Sequence, residues 1–313
     1  MATVLVTGGA GFIGSHLTES LLQDGYKVVV VDNLSSGSSA HISNQLNFAQ
    51  MELTDKQLGE VFSHNEISYV YHLAAQTNVP QSVSFPVKDT MSNVLGTVNL
   101  LDNCLAFKVK KFIYLSGGAA LYGETPERSA TETDQLAPIS PLGLSKAVAE
   151  KYIEWAARTA ELDYTILRCS NIYGPRQDPY REVGVVASFC NFLLHERAPT
   201  IYGDGSQMRD FLYIDDLCVA MKQALVEGRH EIVNIGSGTS HRIIDILEKL
   251  QEITGFSGDV FYRPARSGEV IEFKMNIEKA SRVLKWRPGT SLESGLQQTV
   301  DYYRTAAQAG PDF

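Results

Sequence analysis

Apolar residues occur in short continuous blocks through the first half of the chain, and amphipathic stretches separate them. The blocks Thr3–Val6, Lys27–Val31, Leu46–Gln50, Tyr69–Leu73, Lys111–Ser116 and Tyr164–Cys169 are rich in β-branched and aromatic residues and read as buried strands. Between them, Ser15–Asp24, Lys56–His64, Asp89–Phe107 and Pro141–Ala160 carry apolar positions at helical spacing, such as Val94, Val98, Leu101 and Leu105. This alternation predicts an α/β fold with a parallel, doubly wound sheet, which places ligands at the carboxyl ends of the strands.

The pattern loosens from Asn171. Gly174-Pro175, Asp178-Pro179 and Gly203-Asp-Gly205 read as turns, Val186–His195 as a short helix and Ile232–Ile235 as a late sheet strand. Ile243–Thr254 and Leu292–Ala307 supply two further helices. No repeat, low-complexity segment or flexible linker separates the parts. The expected organisation is two interleaved domains. Residues 1–170 with about 212–242 form the first, and residues 171–211 with 243–313 form a smaller substrate-binding domain.

Composition narrows the functional classes. A chain of 313 residues with 44% hydrophobic and 20% charged residues has ample material for a core. Its net charge of −9 argues against nonspecific nucleic-acid binding. No apolar run approaches the roughly 20 residues of a membrane span, and the first strand begins too early for a cleavable signal. Cys104, Cys169, Cys190 and Cys218 are widely spaced within apolar segments, so they are expected as reduced core residues, with no metal site. A cytoplasmic enzyme fits this profile.

The candidate chemistry begins at the first strand. Gly8, Gly11 and Gly14 follow it at three-residue spacing, with Phe12 and Ile13 between the last two, and the Ser15–Asp24 helix begins at once. Such a turn lets backbone approach a pyrophosphate, and the helix N-terminus presents N–H groups and partial positive charge to it. The second strand ends in Asp32, eighteen residues past Gly14, where a carboxylate accepts hydrogen bonds from an adenosine ribose. The same carboxylate repels a 2′-phosphate, so NAD is expected over NADP. Leu73, Ala74 and Ala75 end the fourth strand with small residues suited to close passage beside a cofactor.

Taken together, these segments resemble the extended short-chain dehydrogenases/reductases, and within them the nucleotide-sugar epimerases and dehydratases of the UDP-glucose 4-epimerase branch. The likeness rests on Thr7-Gly-Gly-Ala-Gly-Phe-Ile-Gly14, Val31-Asp-Asn-Leu-Ser-Ser-Gly37, His72-Leu-Ala-Ala75, Asn93-Val-Leu-Gly-Thr97, Asn171-Ile-Tyr-Gly-Pro-Arg-Gln177, Gly203–Phe211, Tyr213-Ile-Asp-Asp216 and Arg266-Ser-Gly-Glu269. It implies a Rossmann domain that binds NAD through the glycine turn, Asp32, Asn33, Leu73–Ala75, Asn93 and Lys146. It further implies a UDP-sugar substrate held by Asn171, Tyr173, Arg209, Arg266 and Glu269, with the arginines on the phosphates and Glu269 on the uridine ribose. A homodimer is implied through the helices Asp89–Phe107 and Pro141–Ala160, with Val94, Val98 and Leu101 on one and Val148, Tyr152 and Trp155 or Ala156 on the other.

The chain departs from the family where proton transfer occurs. The family carries Tyr-x-x-x-Lys on the long helix, both side chains on one face, with the tyrosine as general base and the lysine lowering its pKa. Here the segment is Ser140-Pro-Leu-Gly-Leu-Ser-Lys146, so Lys146 is present and Leu142 holds the tyrosine position. The bridging Ser or Thr after the fifth strand falls on Gly117 in Leu115-Ser-Gly-Gly-Ala119, with Ser116 as a neighbouring substitute. Three readings stay open: another proton acceptor, such as Tyr122, Tyr173 or the substrate itself; an active epimerase altered at both positions; or a non-catalytic binder of NAD and nucleotide sugar. The expected reaction is C4 epimerisation through a 4-keto sugar. A 4,6-dehydratase is the lesser alternative, because Gly118-Ala119 lacks the acidic pair that branch carries.

Overall fold

The computed structural model describes residues 2–125, 128–180, 184–265 and 270–309. The amino-terminal half alternates β1 (Thr3–Thr7), α1 (Phe12–Gln23), β2 (Lys27–Asp32), β3 (Asn47–Gln50), α2 (Leu58–Asn65) and β4 (Ile67–His72). It continues with α3 (Val79–Ser84), α4 (Pro86–Thr90), α5 (Gly96–Ala106), β5 (Lys111–Gly117), α6 (Ala119–Tyr122), α7 (Pro141–Ala160) and β6 (Asp163–Cys169). Then follow β7 (Asn171–Tyr173), α8 (Val185–Leu194), β8 (Thr200–Tyr202), β9 (Met208–Tyr213), α9 (Ile214–Val226) and β10 (Glu231–Ile235). The chain ends with β11 (Ser240–Arg242), α10 (Ile243–Thr254), β12 (Phe261–Arg263), α11 (Glu278–Val283) and α12 (Leu292–Ala309).

Seven strands form one sheet in the order β10-β6-β5-β4-β1-β2-β3, and every pairing in it is parallel. The predicted Rossmann-like architecture is therefore present. Because side chains alternate along a strand, Val4 and Val6 pack with α1 and α9 on one face. Leu5 packs on the other with α2, α5 and α7. The strand order reverses between β1 and β4, which opens a crevice at their carboxyl ends.

The long helix α7 keeps its expected bounds because Ser140 caps Gly143 N and Pro141 occupies the first turn. The helix expected over Asp89–Phe107 is instead composite, with a π-helical segment at Met91–Leu95 joining α4 to α5. One extra residue in a turn barely disturbs the apolar spacing, so periodicity does not reveal it. The three-residue strands β7, β8, β11 and β12 are too short to show alternation.

The smaller lobe holds a three-stranded sheet, β11-β9-β7, and the pair β12-β8. Its helices α8, α10 and α12 contribute Phe189, Leu193, Leu247 and Leu296 to the cluster that also contains Val4 and Val6. The core thus runs without interruption between the lobes. Pairing of β11 with β9 puts residues 240–242 in the smaller sheet, whereas α11 packs back on β10. All four cysteines are buried and free. Among the described residues no helix is long and apolar enough to cross a membrane.

Candidate active site at the carboxyl end of the sheet

The glycine turn fits a bound pyrophosphate by the space it leaves. Gly8 has φ +71 and donates to Val31 O at 2.8 Å, which ties the turn to β2. A β-carbon on Gly8 would lie 2.7 Å from Ala74 N, and one on Gly14 would run into Gly8 O. At Gly11 it would meet only Gly8 O at 3.3 Å, so this position faces the open crevice. No side chain caps the start of α1, so its first N–H groups are available to an anion. The Phe12 and Ile13 side chains pack toward the core, leaving only their backbones for a ligand.

Asp32 is 7% exposed at the end of β2, and its two oxygens accept Ala10 N at 3.0 Å and Leu34 N at 2.8 Å. These bonds fix the carboxylate at the crevice and leave lone pairs on both oxygens for a ribose. Asn33 shapes the following turn by accepting Ser35 N at 2.9 Å and donating to Glu52 at 2.9 Å.

The opposite wall is the segment Leu73–Gln76. Leu73 N donates to Thr7 O at 3.2 Å, and Ala74 N to Thr7 Oγ1 at 3.3 Å. Asn93, in the π-helical segment, clamps this wall by accepting Gln76 N at 2.8 Å and donating to Gln76 O at 3.0 Å. Asp89 braces Asn93 and also accepts Gln76 Nε2 at 3.0 Å and Ser145 Oγ at 2.6 Å. This buried carboxylate, 1% exposed, carried no sequence signal, because Asp in an amphipathic helix reads as a surface residue. His72 bridges Thr7 and Thr97, each at 2.8 Å. Burial, with the Lys146 charge second, pushes its pKa down to about 3, so the ring is neutral.

The positions expected to be catalytic, Gly117, Leu142 and Lys146, lie on β5 and α7. Gly143 has no room for a β-carbon, which would collide with Ala120 O, so the first turn of α7 rests on the turn after β5. Leu142 is 7% exposed, yet among the described residues the apolar clusters on either face of the sheet do not include it. One turn on, Lys146 Nζ donates to Leu115 O at 3.0 Å and lies 4.9 Å from the centre of the Tyr114 ring. Burial lowers its pKa to about 8, against raising contributions from Cys169, Glu150 and Asp89. A β-carbon on Gly117 would find only Ala120 Cβ at 3.7 Å, whereas one on Gly118 would lie 2.8 Å from Cys169 O and strike Met275. Position 117 therefore has room for a β-carbon, and position 118 does not. The hydroxyls of Ser116 and Ser170, near the carboxyl ends of β5 and β6, are buried without a hydrogen-bond partner among the described residues.

Neither tyrosine considered as an alternative base fits that role. Tyr122 donates to Asn234 Oδ1 at 2.7 Å and accepts Arg168 Nη1 at 2.8 Å, and burial pushes its pKa up to about 12. Tyr173, also expected on the substrate, is 2% exposed in the core beside Phe211 and Tyr213. Its hydroxyl points to Leu292 O, and burial raises its pKa.

Asn171 is exposed where the chain leaves β6. Arg209, on β9, donates to Met208 O at 2.9 Å and Ile271 O at 3.3 Å. Arg266 and Glu269 lie outside the described residues.

Comparison with known proteins places these features in context. The sequence profile of the NAD dependent epimerase/dehydratase family matches residues 4–236. A putative UDP-glucose 4-epimerase of Methanocaldococcus jannaschii is 40% identical over 301 residues, covering 96% of this chain and 98% of that protein. The UDP-glucose 4-epimerase of Thermotoga maritima, solved with UDP-glucose, superimposes with a TM-score of 0.96 at 43% identity, covering 97% of this chain and 99% of that one. The UDP-glucose 4-epimerase of Thermus thermophilus, solved with NAD, gives a TM-score of 0.94 at 38% identity over 97% of this chain and 99% of that one.

Proposed function

The chain belongs to the NAD dependent epimerase/dehydratase family, and from that premise we propose that it acts on UDP-hexoses at C4 with its proton-transfer machinery altered. NAD is the cofactor of this family, and when bound it supplies the hydride acceptor and donor for C4. The turn from Gly8 to Gly14 receives the pyrophosphate, and Asp32 the adenosine ribose. Lys146 approaches the nicotinamide ribose, and Asn93 holds the wall beside it. Asn171, Arg209, Arg266 and Glu269 bind the nucleotide part of the sugar donor.

One observation carries this reading. The α7 turn bearing Leu142 is seated against the turn that follows Gly117, with Lys146 one turn further along α7, and this juxtaposition supports a reaction frame built on these three positions. Incubation with UDP-glucose, UDP-N-acetylglucosamine and UDP-glucuronate, followed by NMR and absorbance of reduced dinucleotide, tests it. Epimerised sugar or a 4-keto species is expected. Neither product nor reduced dinucleotide from any donor would favour a non-catalytic binding protein.

The active unit is a homodimer in this reading. Leu101 and Ala156, expected on the interface, are core residues at 3% and 0% exposure. The exposed apolar side chains beside them are Val87, Met91 and Leu95 on one helical segment and Leu144, Tyr152 and Trp155 on α7. Light scattering should give twice the chain mass at micromolar concentration, and a monomer mass would refute the dimer.

A further inference from the structure

Segment 270–277 leads into α11 and is gripped from two sides. On one side Met208 N, at the start of β9, donates to Ile271 O at 2.8 Å, and Phe273 N donates to Met208 O at 3.2 Å. On the other, Thr125 N donates to Glu272 O at 3.1 Å, Ala130 N to Lys274 O at 2.8 Å and Asn276 N to Ala130 O at 2.8 Å. Phe273 and Met275 share an apolar cluster with Tyr122 and Ala130.

Glu124 puts a charge into this seam. Its Oε1 accepts Ile271 N at 2.6 Å and its Oε2 accepts Glu272 N at 3.0 Å, so one carboxylate takes two consecutive backbone donors. Gly123 delivers it: φ there is +72, and a β-carbon would lie 2.9 Å from Ala137 O. The peptide between Ile271 and Glu272 then links Glu124 to Arg209. A trans peptide is planar, with its N–H and its C=O on opposite edges. The N–H edge is bonded to Glu124, and on the other edge Ile271 O accepts both Met208 N and, at 3.3 Å, Arg209 Nη1.

We propose that Glu124 is a positioning residue for the diphosphate of the sugar nucleotide: it orients the 271–272 peptide so that Ile271 O aims the Arg209 guanidinium at the phosphates. The proposal rests on the reading above that places Arg209 on the nucleotide part of the donor. Carboxylate, peptide and guanidinium stand in a row, and a carboxylate on the N–H polarises the peptide and makes its carbonyl a stronger acceptor.

Two further observations favour orientation over plain packing. Arg209 is 8% exposed and is steered by Met208 O at 2.9 Å as well as by Ile271 O. Both acceptors are uncharged carbonyls, so they direct the guanidinium without cancelling its charge. Glu124, by contrast, is exposed. A solvated carboxylate contributes little by packing, so its effect lies in the two charge-assisted bonds it makes to the backbone.

Calorimetric titration of the whole chain with UDP and with NAD tests this without requiring turnover. Glu124→Ala should raise the Kd for UDP about tenfold and leave NAD affinity unchanged. Glu124→Gln, which keeps one accepting oxygen, should lie between it and the unmodified protein. Arg209→Met keeps an apolar stem, removes the charge and should weaken UDP on its own. In that background Glu124→Ala should add nothing, because its effect passes through the guanidinium. Unchanged UDP affinity in Glu124→Ala, an equal loss of NAD affinity, or the same loss again on top of Arg209→Met overturns the proposal. If Glu124→Ala does not fold, the same comparisons made with Glu124→Gln decide. If Arg209→Met weakens UDP and the Glu124 variants do not, the positioning role fails and the nucleotide reading stands. If the unmodified protein does not bind UDP, or Arg209→Met binds it as tightly, the nucleotide reading fails and takes the proposal with it.

Discussion

Gly143 is packed so closely against the carbonyl of Ala120 that the site admits no β-carbon. Gly143 follows Leu142, and Ala120 is the residue that a side chain at 117 would touch. This contact joins the first turn of α7, which bears position 142, to the turn that follows position 117. Leu142→Tyr with Gly117→Thr should therefore raise the C4-epimerase rate by about 10²–10⁴-fold, the usual worth of a positioned base. The Lys146 charge would favour the phenolate. Leu142→Tyr alone should recover part of the gain. Steady-state rates decide, and no gain from the double variant on any UDP-hexose would count against this geometry.

Asp32 fixes two backbone N–H groups and faces the crevice, so cofactor choice should reside there. The unmodified protein should bind NAD more tightly than NADP, since a 2′-phosphate would meet a carboxylate. Asp32→Asn keeps the shape but removes the charge, and should weaken NAD while narrowing the preference. Calorimetric titration with both dinucleotides is the measurement. Equal affinity in the unmodified protein would show that Asp32 does not discriminate.

Glu150 and Arg168 form a buried ion pair at 2.6 Å, with side-chain exposures of 0% and 4%. Removing one partner strands the other charge. Glu150→Ala should lower stability by about 3–5 kcal/mol, whereas replacing both residues with apolar ones of similar volume should cost much less. Urea denaturation of the three proteins tests this. Equal losses in the single and double variants would contradict it.

His72 makes stability pH-dependent in a defined window. Its pKa is about 3 in the fold and 6.5 when unfolded, so between those values the unfolded chain binds more protons. Stability is complete above 6.5 and falls as pH drops toward 3, by up to about 1.4 kcal/mol per pH unit from this residue. His72→Gln should flatten the slope of unfolding free energy between pH 4 and 6. An unchanged slope would mean that His72 does not titrate as its burial requires.

The sheet was legible because its strands are buried on both faces, so continuous apolar runs such as Lys27–Val31 have few competing readings. The ends of α7 were legible for a local reason, Ser140 before Pro141. The site was legible only in part. The glycine turn and Asp32 announce themselves through spacing, but the clamp of Asp89, Asn93 and Ser145 arises from pairing across 56 residues of chain. Tyr173 illustrates the converse: its motif pointed to the substrate, while its ring completes the core of the smaller lobe. The two orphaned serine hydroxyls became visible only once the strand ends were set side by side.

The borders of the seven-stranded sheet bear on how this protein behaves when concentrated. At one border β3 is four residues long and exposes Asn47 and Gln50, and at the other α11 packs on β10. A short polar margin and a covered one offer little unpaired backbone to a strand from another molecule. Growth of fibrils by adding strands to this sheet is thereby disfavoured, even while the lobes remain folded. Contacts between molecules are left to side chains, whose association can saturate at a closed pair.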